Sequence, residues 1–202
     1  MPKSLFFKLD ETKRARITEA ALREFSTNIY NEASINQIIK TADISRGSFY
    51  KYFEDKEDVY FHMVRIVFEN TAVTFFDTLA DVESMNILRL YRESFRYHLN
   101  LLSNPQYKSF IKNMHLSMNY TFQQMYKNVF TGIRTRMMGT SSRLSMHADK
   151  INTSAYLELM NMLELINRDL ITQKIANDME DSEILAQYDL RLRILLDLKS
   201  YI

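Results

Sequence analysis

At 202 residues with 46% hydrophobic side chains, the chain can form one medium domain or a small one joined to a larger, and it is too apolar for disorder. Three glycines, two prolines and no cysteine argue against a turn-rich β architecture and exclude disulfide staples and cysteine-ligated zinc. The net charge of +1 is no global sign of a polyanion binder, so any such face must be local.

The N-terminal MPKSLFFKLDE is basic but lacks the apolar run of a signal peptide, and no stretch approaches a membrane span. A soluble cytoplasmic protein is the default expectation. From Asp10 to Asn28, Ile17, Ala21 and Phe25 recur every four residues, which predicts an amphipathic helix. A polar connection, Asn28 to Ala33, follows. Ser34 with Gln37 three residues on reads as a capping box opening a short helix to Thr41. Asp43 sits at a turn, and Ser45 is a second N-cap candidate, for a short helix to Tyr52. Asp55 caps a long helix from Lys56 to about Leu79.

Helices are also expected over Ser84–Leu102, from Asn104-Pro105 to about Asn119, onward to about Met138, and over Asn152–Ile175 and Ser182–Ser200. Gly139 to Ser142 is the best loop signal in the second half. No alternating strand pattern and no repeat is present. The fold class is therefore all-α: an N-terminal three-helix unit, 1–55, and a larger helical bundle, 56–202.

Two short helices separated by a tight turn make a helix-turn-helix. A short helix fits the major groove of DNA, its first residues facing base edges, while capped termini offer backbone N–H groups to phosphate. The stretch from Arg16 to Val59 resembles the DNA-binding domain of TetR/AcrR-type regulators, most specifically in ISRGSFYKYFEDKED from Ile44 to Asp58. The family usually has glycine at Ile29, alanine at Ile39 and glycine at Asp43. Asp43 tolerates a left-handed turn; Ile29 does not, so the first connection is expected to be built differently.

Position in the motif assigns roles. Arg46 opens the recognition helix, and its planar fork suits guanine O6 and N7. Gly47 leaves room for close backbone approach. Ser48 is placed for a base edge or phosphate, and Tyr50, Lys51 and Tyr52 for phosphate or sugar. Lys56, at the next helix start, adds donors for phosphate. Ser34, Asn36 and Gln37 are placed for the backbone or an edge base, and Ser45 completes the DNA-binding set. For Ser34 and Ser45 a role as caps alone is equally good. Phe49 and Phe53 are expected to pack inward.

The resemblance implies a regulatory domain that binds a small apolar or amphipathic effector and dimerises. Tyr91, Phe95, His98, Phe110, Met114, Met118, Phe122 and Glu164 form the candidate ligand set, although for each of them an ordinary core role is the commoner one. Ala155, Leu159, Met162 and Ile166, with Leu185, Tyr188, Leu192 and Leu195, repeat at helical spacing; they are candidates for a dimer face or for closing the monomer core. There is no HExxH, no Glu-x-x-His pair for a di-iron bundle, no GxSxG and no phosphate-binding glycine loop, so neither an enzyme, a metal site nor a cofactor is expected. The leading reading is a ligand-released repressor that binds a palindromic operator in double-stranded DNA as a homodimer. The alternative is a helical adaptor of the same fold that binds a protein partner, with DNA as a second anchor.

Overall fold

The computed structural model describes residues 1–78, 87–119, 121–129 and 153–197, and all regular structure among them is helical. The helices are α1 (Ser4–Phe7), α2 (Glu11–Thr27), α3 (Ile35–Thr41), α4 (Arg46–Tyr52), α5 (Lys56–Thr78), α6 (Ile87–Ser103), α7 (Lys108–Leu116), α8 (121–129), α9 (Thr153–Asn177) and α10 (Asp181–Asp197). No described helix is long and apolar enough to cross a membrane. The loop signal at Gly139–Ser142 lies outside the described residues.

The chain divides into two compact units, Met1–Val73 with Asn104–Arg134, and Thr74–Ser103 with Thr135–Ile202. The first therefore contains more than the 1–55 segment: most of α5, and α7 and α8, pack with the helix-turn-helix.

In the first unit the four-residue stripe of α2 forms the centre. Ile17, Ala21 and Phe25 are all buried, as are Ile38 of α3, Phe49 of α4, Tyr60 and Met63 of α5 and Phe110 of α7, with Phe25 edge-on to Tyr60 at 5.0 Å. Asp10 caps α2 by accepting from the Lys13 N–H at 2.9 Å. Asp55 caps α5 by accepting from the Asp58 N–H at 2.8 Å. Asp43 adopts φ 49°, the left-handed turn its short polar side chain permits. Among the described non-glycine residues only Asp43 and Asp178 have positive φ. Ile29 is spared that conformation: its carbonyl accepts from the N–H groups of Glu32 and Ala33, each at 3.0 Å, closing a different turn.

Three local expectations are corrected. Ser34 precedes α3 but its side chain makes no capping bond, and Gln37 donates instead to Thr41 Oγ1 at 3.4 Å. The charge at this corner comes from Glu24, whose Oε1 accepts from the Ser34 N–H at 2.8 Å and from Asn28 Nδ2 at 3.1 Å. Asn104-Pro105 opens a turn rather than a helix: the Asn104 carbonyl accepts from the Tyr107 and Lys108 N–H groups, and α7 starts only at Lys108. The helix expected to reach Asn119 ends at Leu116.

The helix α1 is absent from the sequence-based expectations. Phe6 anchors it, 1% exposed, its ring centre 5.0 Å from that of Phe53 and 5.2 Å from that of His62. Burying a phenylalanine contributes about 1.5–3 kcal/mol, which is enough to hold a one-turn helix that has no stability of its own. The Lys3 N–H donates to the Tyr52 carbonyl at 2.8 Å, tying this segment to the end of α4.

In the second unit α6, α9 and α10 pack on one another. Phe95 of α6 stacks on Tyr188 of α10 at 4.3 Å and 8°. Arg92 grips Asp189 with two bonds, Nε at 2.6 Å and Nη2 at 2.8 Å. That bond raises the Arg92 pKa and holds the Asp189 carboxyl below its usual range. Leu163, Leu170, Ile184 and Leu192 complete the buried seam.

Candidate nucleic-acid interface

The outer face of the head is built by α3 and α4. Ser45 begins α4 by accepting from the Ser48 N–H at 3.1 Å, and the two hydroxyls lie 2.9 Å apart. Phe49, Tyr52 and Phe53 turn inward and fix the helix to the core, which leaves Arg46, Gly47, Tyr50 and Lys51 exposed. Asn36 and Gln37 are exposed on α3. Arg46 Nη1 donates to Asn36 Oδ1 at 3.1 Å, and its guanidinium carbon lies 5.8 Å from the centre of the Tyr50 ring. The face thus joins both helices through one arginine.

Gly47 has ordinary backbone geometry, and a Cβ built on it would meet only Ser45 Oγ, at 4.0 Å. Nothing within the subunit requires glycine there, although glycine weakens a helix by roughly 0.5–1 kcal/mol relative to alanine.

Two residues expected on this face lie elsewhere. Tyr52 is 5% exposed and packs against Phe6, with Lys13 Nζ 6.0 Å from its ring centre. Lys56 turns its ammonium inward onto the α2–α3 connection. It donates to the carbonyls of Tyr30 at 2.8 Å, Ala33 at 3.0 Å and Asn31 at 3.4 Å, and sits 4.6 Å from the centre of the Tyr30 ring. Burial lowers its pKa, opposed by Glu24.

Supporting residues come from distant sequence, and no local pattern marks them. Asn113 of α7 donates to the carbonyls of Phe25 and Ser26 at the end of α2. Ser117 Oγ accepts from the Tyr30 N–H at 2.9 Å. Lys3 Nζ donates to the Tyr50 carbonyl at 3.0 Å and pairs with Glu54 at 2.9 Å.

This arrangement of a capped short helix, a left-handed turn and an exposed arginine coincides with a family match. Residues 17–63 match the bacterial regulatory proteins of the tetR family, and residues 86–197, more than half the chain, match the tetracyclin repressor-like C-terminal domain. The chain belongs to the tetR family.

It is similar to the HTH-type transcriptional regulator HbdR of Aromatoleum sp. (strain CIB), with 39% identity over 62 residues, 31% of this chain and 27% of the relative. The matching stretch spans between a fifth and about a quarter of the curated relatives' length. The fold extends further. A tetR-family regulator structure from Streptomyces coelicolor superposes with a TM-score of 0.60 at 15% identity, covering 92% of this chain and 82% of that one. The regulator FadR of Bacillus subtilis, solved with stearoyl-CoA, gives 0.58 at 17%, covering 90% and 96%. The tetR family is one of regulators, not of enzymes.

The eight candidate ligand residues of this tetR-family chain divide between its two units. Phe110, Met114, Met118 and Phe122 lie in the unit that carries the head, with Phe110, Met114 and Phe122 buried; Phe122 packs against Tyr30, Tyr60 and Phe61. Tyr91, Phe95, His98 and Glu164 lie in the other, where burial pushes the His98 pKa down to about 4.

The expected stripe on the last helix faces inward at two positions, Tyr188 and Leu192. Among the described side chains, the exposed large apolar residues of α9 and α10 include Met162 at 43%, Leu165 at 52%, and Leu190 and Ile194 at 51% each. Of the α9 stripe, Met162 is exposed, Leu159 and Ile166 are half-buried, and the side chain of Ala155 is outside the description.

Proposed function

We propose that the chain is a transcriptional regulator that binds double-stranded DNA through α3 and α4 as a homodimer, and that a small molecule releases it. The observation that carries this reading is the exposed face of α4, where Arg46, Gly47, Tyr50 and Lys51 stand outside the buried core. Arg46 would read guanine in the major groove, Gly47 would admit close approach of the sugar–phosphate backbone, and Lys51 and Tyr50 would contact phosphate. Asn36, Gln37, Ser34, Ser45 and Ser48 flank that contact. Lys56 would act through the turn it holds, with only its backbone left for phosphate.

One half-site buries little surface, so tight binding calls for two heads one DNA turn apart on a palindromic operator. Exposed Met162, Leu165, Leu190 and Ile194 support α9 and α10 as the pairing face. The functional division then falls at Asp55–Lys56, with 56–202 carrying effector binding and dimerisation. Tyr91, Phe95, His98 and Glu164 of the second unit would meet the effector, with Phe110, Met114, Met118 and Phe122 of the first unit as the alternative group. The FadR neighbour solved with stearoyl-CoA makes long-chain acyl thioesters the first compounds to test. Effector release follows if the ligand binds better to a conformation with the wrong spacing of heads. A cytoplasmic, repressing role completes the proposal.

The test is enrichment of duplexes from a random library by the purified chain, followed by binding of Arg46→Ala to the enriched site. Loss of preference at one base position in each half-site is expected. An Arg46→Ala protein with unchanged affinity and preference would refute the recognition-helix assignment.

A further inference from the structure

We infer that Asn36 is a positioning residue, which orients Arg46 for one base of each half-site and reads no base itself; this rests on the DNA-binding reading above. Arginine carries five N–H donors in a planar fork, and an exposed one ordinarily samples many rotamers. Here the fork is held from two sides. Nη1 donates to Asn36 Oδ1 at 3.1 Å, and the Tyr50 ring lies 5.8 Å from the guanidinium carbon. Both supports are on the exposed face, Asn36 on α3 and Tyr50 one turn along α4 from Arg46.

The bond from Nη1 leaves the Nε–Nη2 edge as the paired donors for guanine O6 and N7. Because Asn36 belongs to α3, its carbonyl oxygen fixes the arginine relative to the whole head and not only to its own helix. The same bond assigns the asparagine amide: with Oδ1 accepting from Arg46, its NH2 group is the donor left for a phosphate. The paired contact that asparagine otherwise makes with adenine N6 and N7 would have to use the second lone pair of that same oxygen, with the amide held at the angle that the Arg46 bond sets.

The experiment compares duplex preferences of the full-length wild type, Asn36→Ala, Asn36→Asp, Arg46→Ala and Asn36→Ala/Arg46→Ala, with melting curves as a folding control. The position whose preference disappears in Arg46→Ala defines the Arg46 base. Asn36→Ala should reduce discrimination at that same position by about tenfold. The double variant should lose no more discrimination there than Arg46→Ala alone, because the two residues act as one unit. Asn36→Asp keeps the acceptor, so it should keep the base preference while binding all sequences more weakly through phosphate repulsion. Lost preference at a different base in Asn36→Ala would overturn the inference, as would a uniform loss of affinity with preference intact. A wild-type chain that enriches no duplex would fail at the earlier step and sink the DNA-binding reading as well.

Discussion

The Lys56 ammonium lies 4.6 Å from the centre of the Tyr30 ring and donates to the Tyr30 carbonyl at 2.8 Å, so one cation closes the connection between α2 and α3. Removing it leaves three carbonyls to seek other partners. Lys56→Met keeps the apolar stem and deletes the donors. It should destabilise the head by about 1–3 kcal/mol, read as a lower urea midpoint at unchanged slope.

The same geometry separates two lysines that look equivalent in the motif. Lys51 is exposed on the outer face and Lys56 is committed inward. Lys51→Ala should reduce the dependence of log affinity on log salt by about one counterion per half-site. Lys56→Met should leave that slope unchanged at temperatures where it is folded. Equal slopes for Lys51→Ala and wild type would remove Lys51 from the phosphate contacts.

Local chemistry made much of this head legible in advance. The caps at Ser45 and Asp55, the limits of α3 and α4, and the left-handed turn at Asp43 all depend on residues within four positions of one another. What stayed hidden depends on distant partners. Ser34 and Gln37 have the sequence of a capping box, but Glu24, ten residues before Ser34, takes the Ser34 N–H that Gln37 would accept from. Lys56 and Tyr52 turn inward because Tyr30 and Phe6 are there to receive them. On α10 the 3–4 spacing of Leu185, Tyr188, Leu192 and Leu195 gives an apolar side. It does not tell which side of the helix Phe95 of α6 will occupy.

Gly47 offers a test in which stability and binding move in opposite directions. Its Cβ would meet only Ser45 Oγ at 4.0 Å, so Gly47→Ala should fit the fold and stabilise the head by roughly 0.5 kcal/mol. A methyl group on that face should nevertheless obstruct close approach of DNA and weaken operator binding about tenfold, a cost of about 1.4 kcal/mol. A higher melting temperature with undiminished affinity would show that the glycine has no part in the contact.

Under the proposed pairing through α9 and α10, two subunits should come apart when the exposed apolar residues of these helices become charged. Leu165→Glu with Leu190→Glu places a carboxylate at two positions now 52% and 51% exposed, so the subunit itself should keep its melting temperature. Sedimentation should then report a monomer, and operator affinity should fall more than tenfold through loss of the second half-site. A variant that sediments as the wild type does would place the interface elsewhere.

His62 should make the head sensitive to acid. It is 9% exposed among Phe6, Phe7 and Phe53, and burial lowers its pKa from 6.5 to about 4, aided by Arg65 and opposed by Asp58. The folded head therefore holds a neutral imidazole. Between pH 6.5 and 4 the unfolded chain binds the extra proton, so stability falls as pH falls through that window, by up to about 3 kcal/mol. Above pH 6.5 both states are neutral and the contribution is constant. His62→Leu should remove this part of the slope, leaving that of His98, whose pKa is displaced in the same direction. The measurement is the urea midpoint of wild type and variant at pH 7.5 and 4.5. Identical losses between the two pH values would mean that His62 takes up its proton as readily in the folded chain as in the unfolded one.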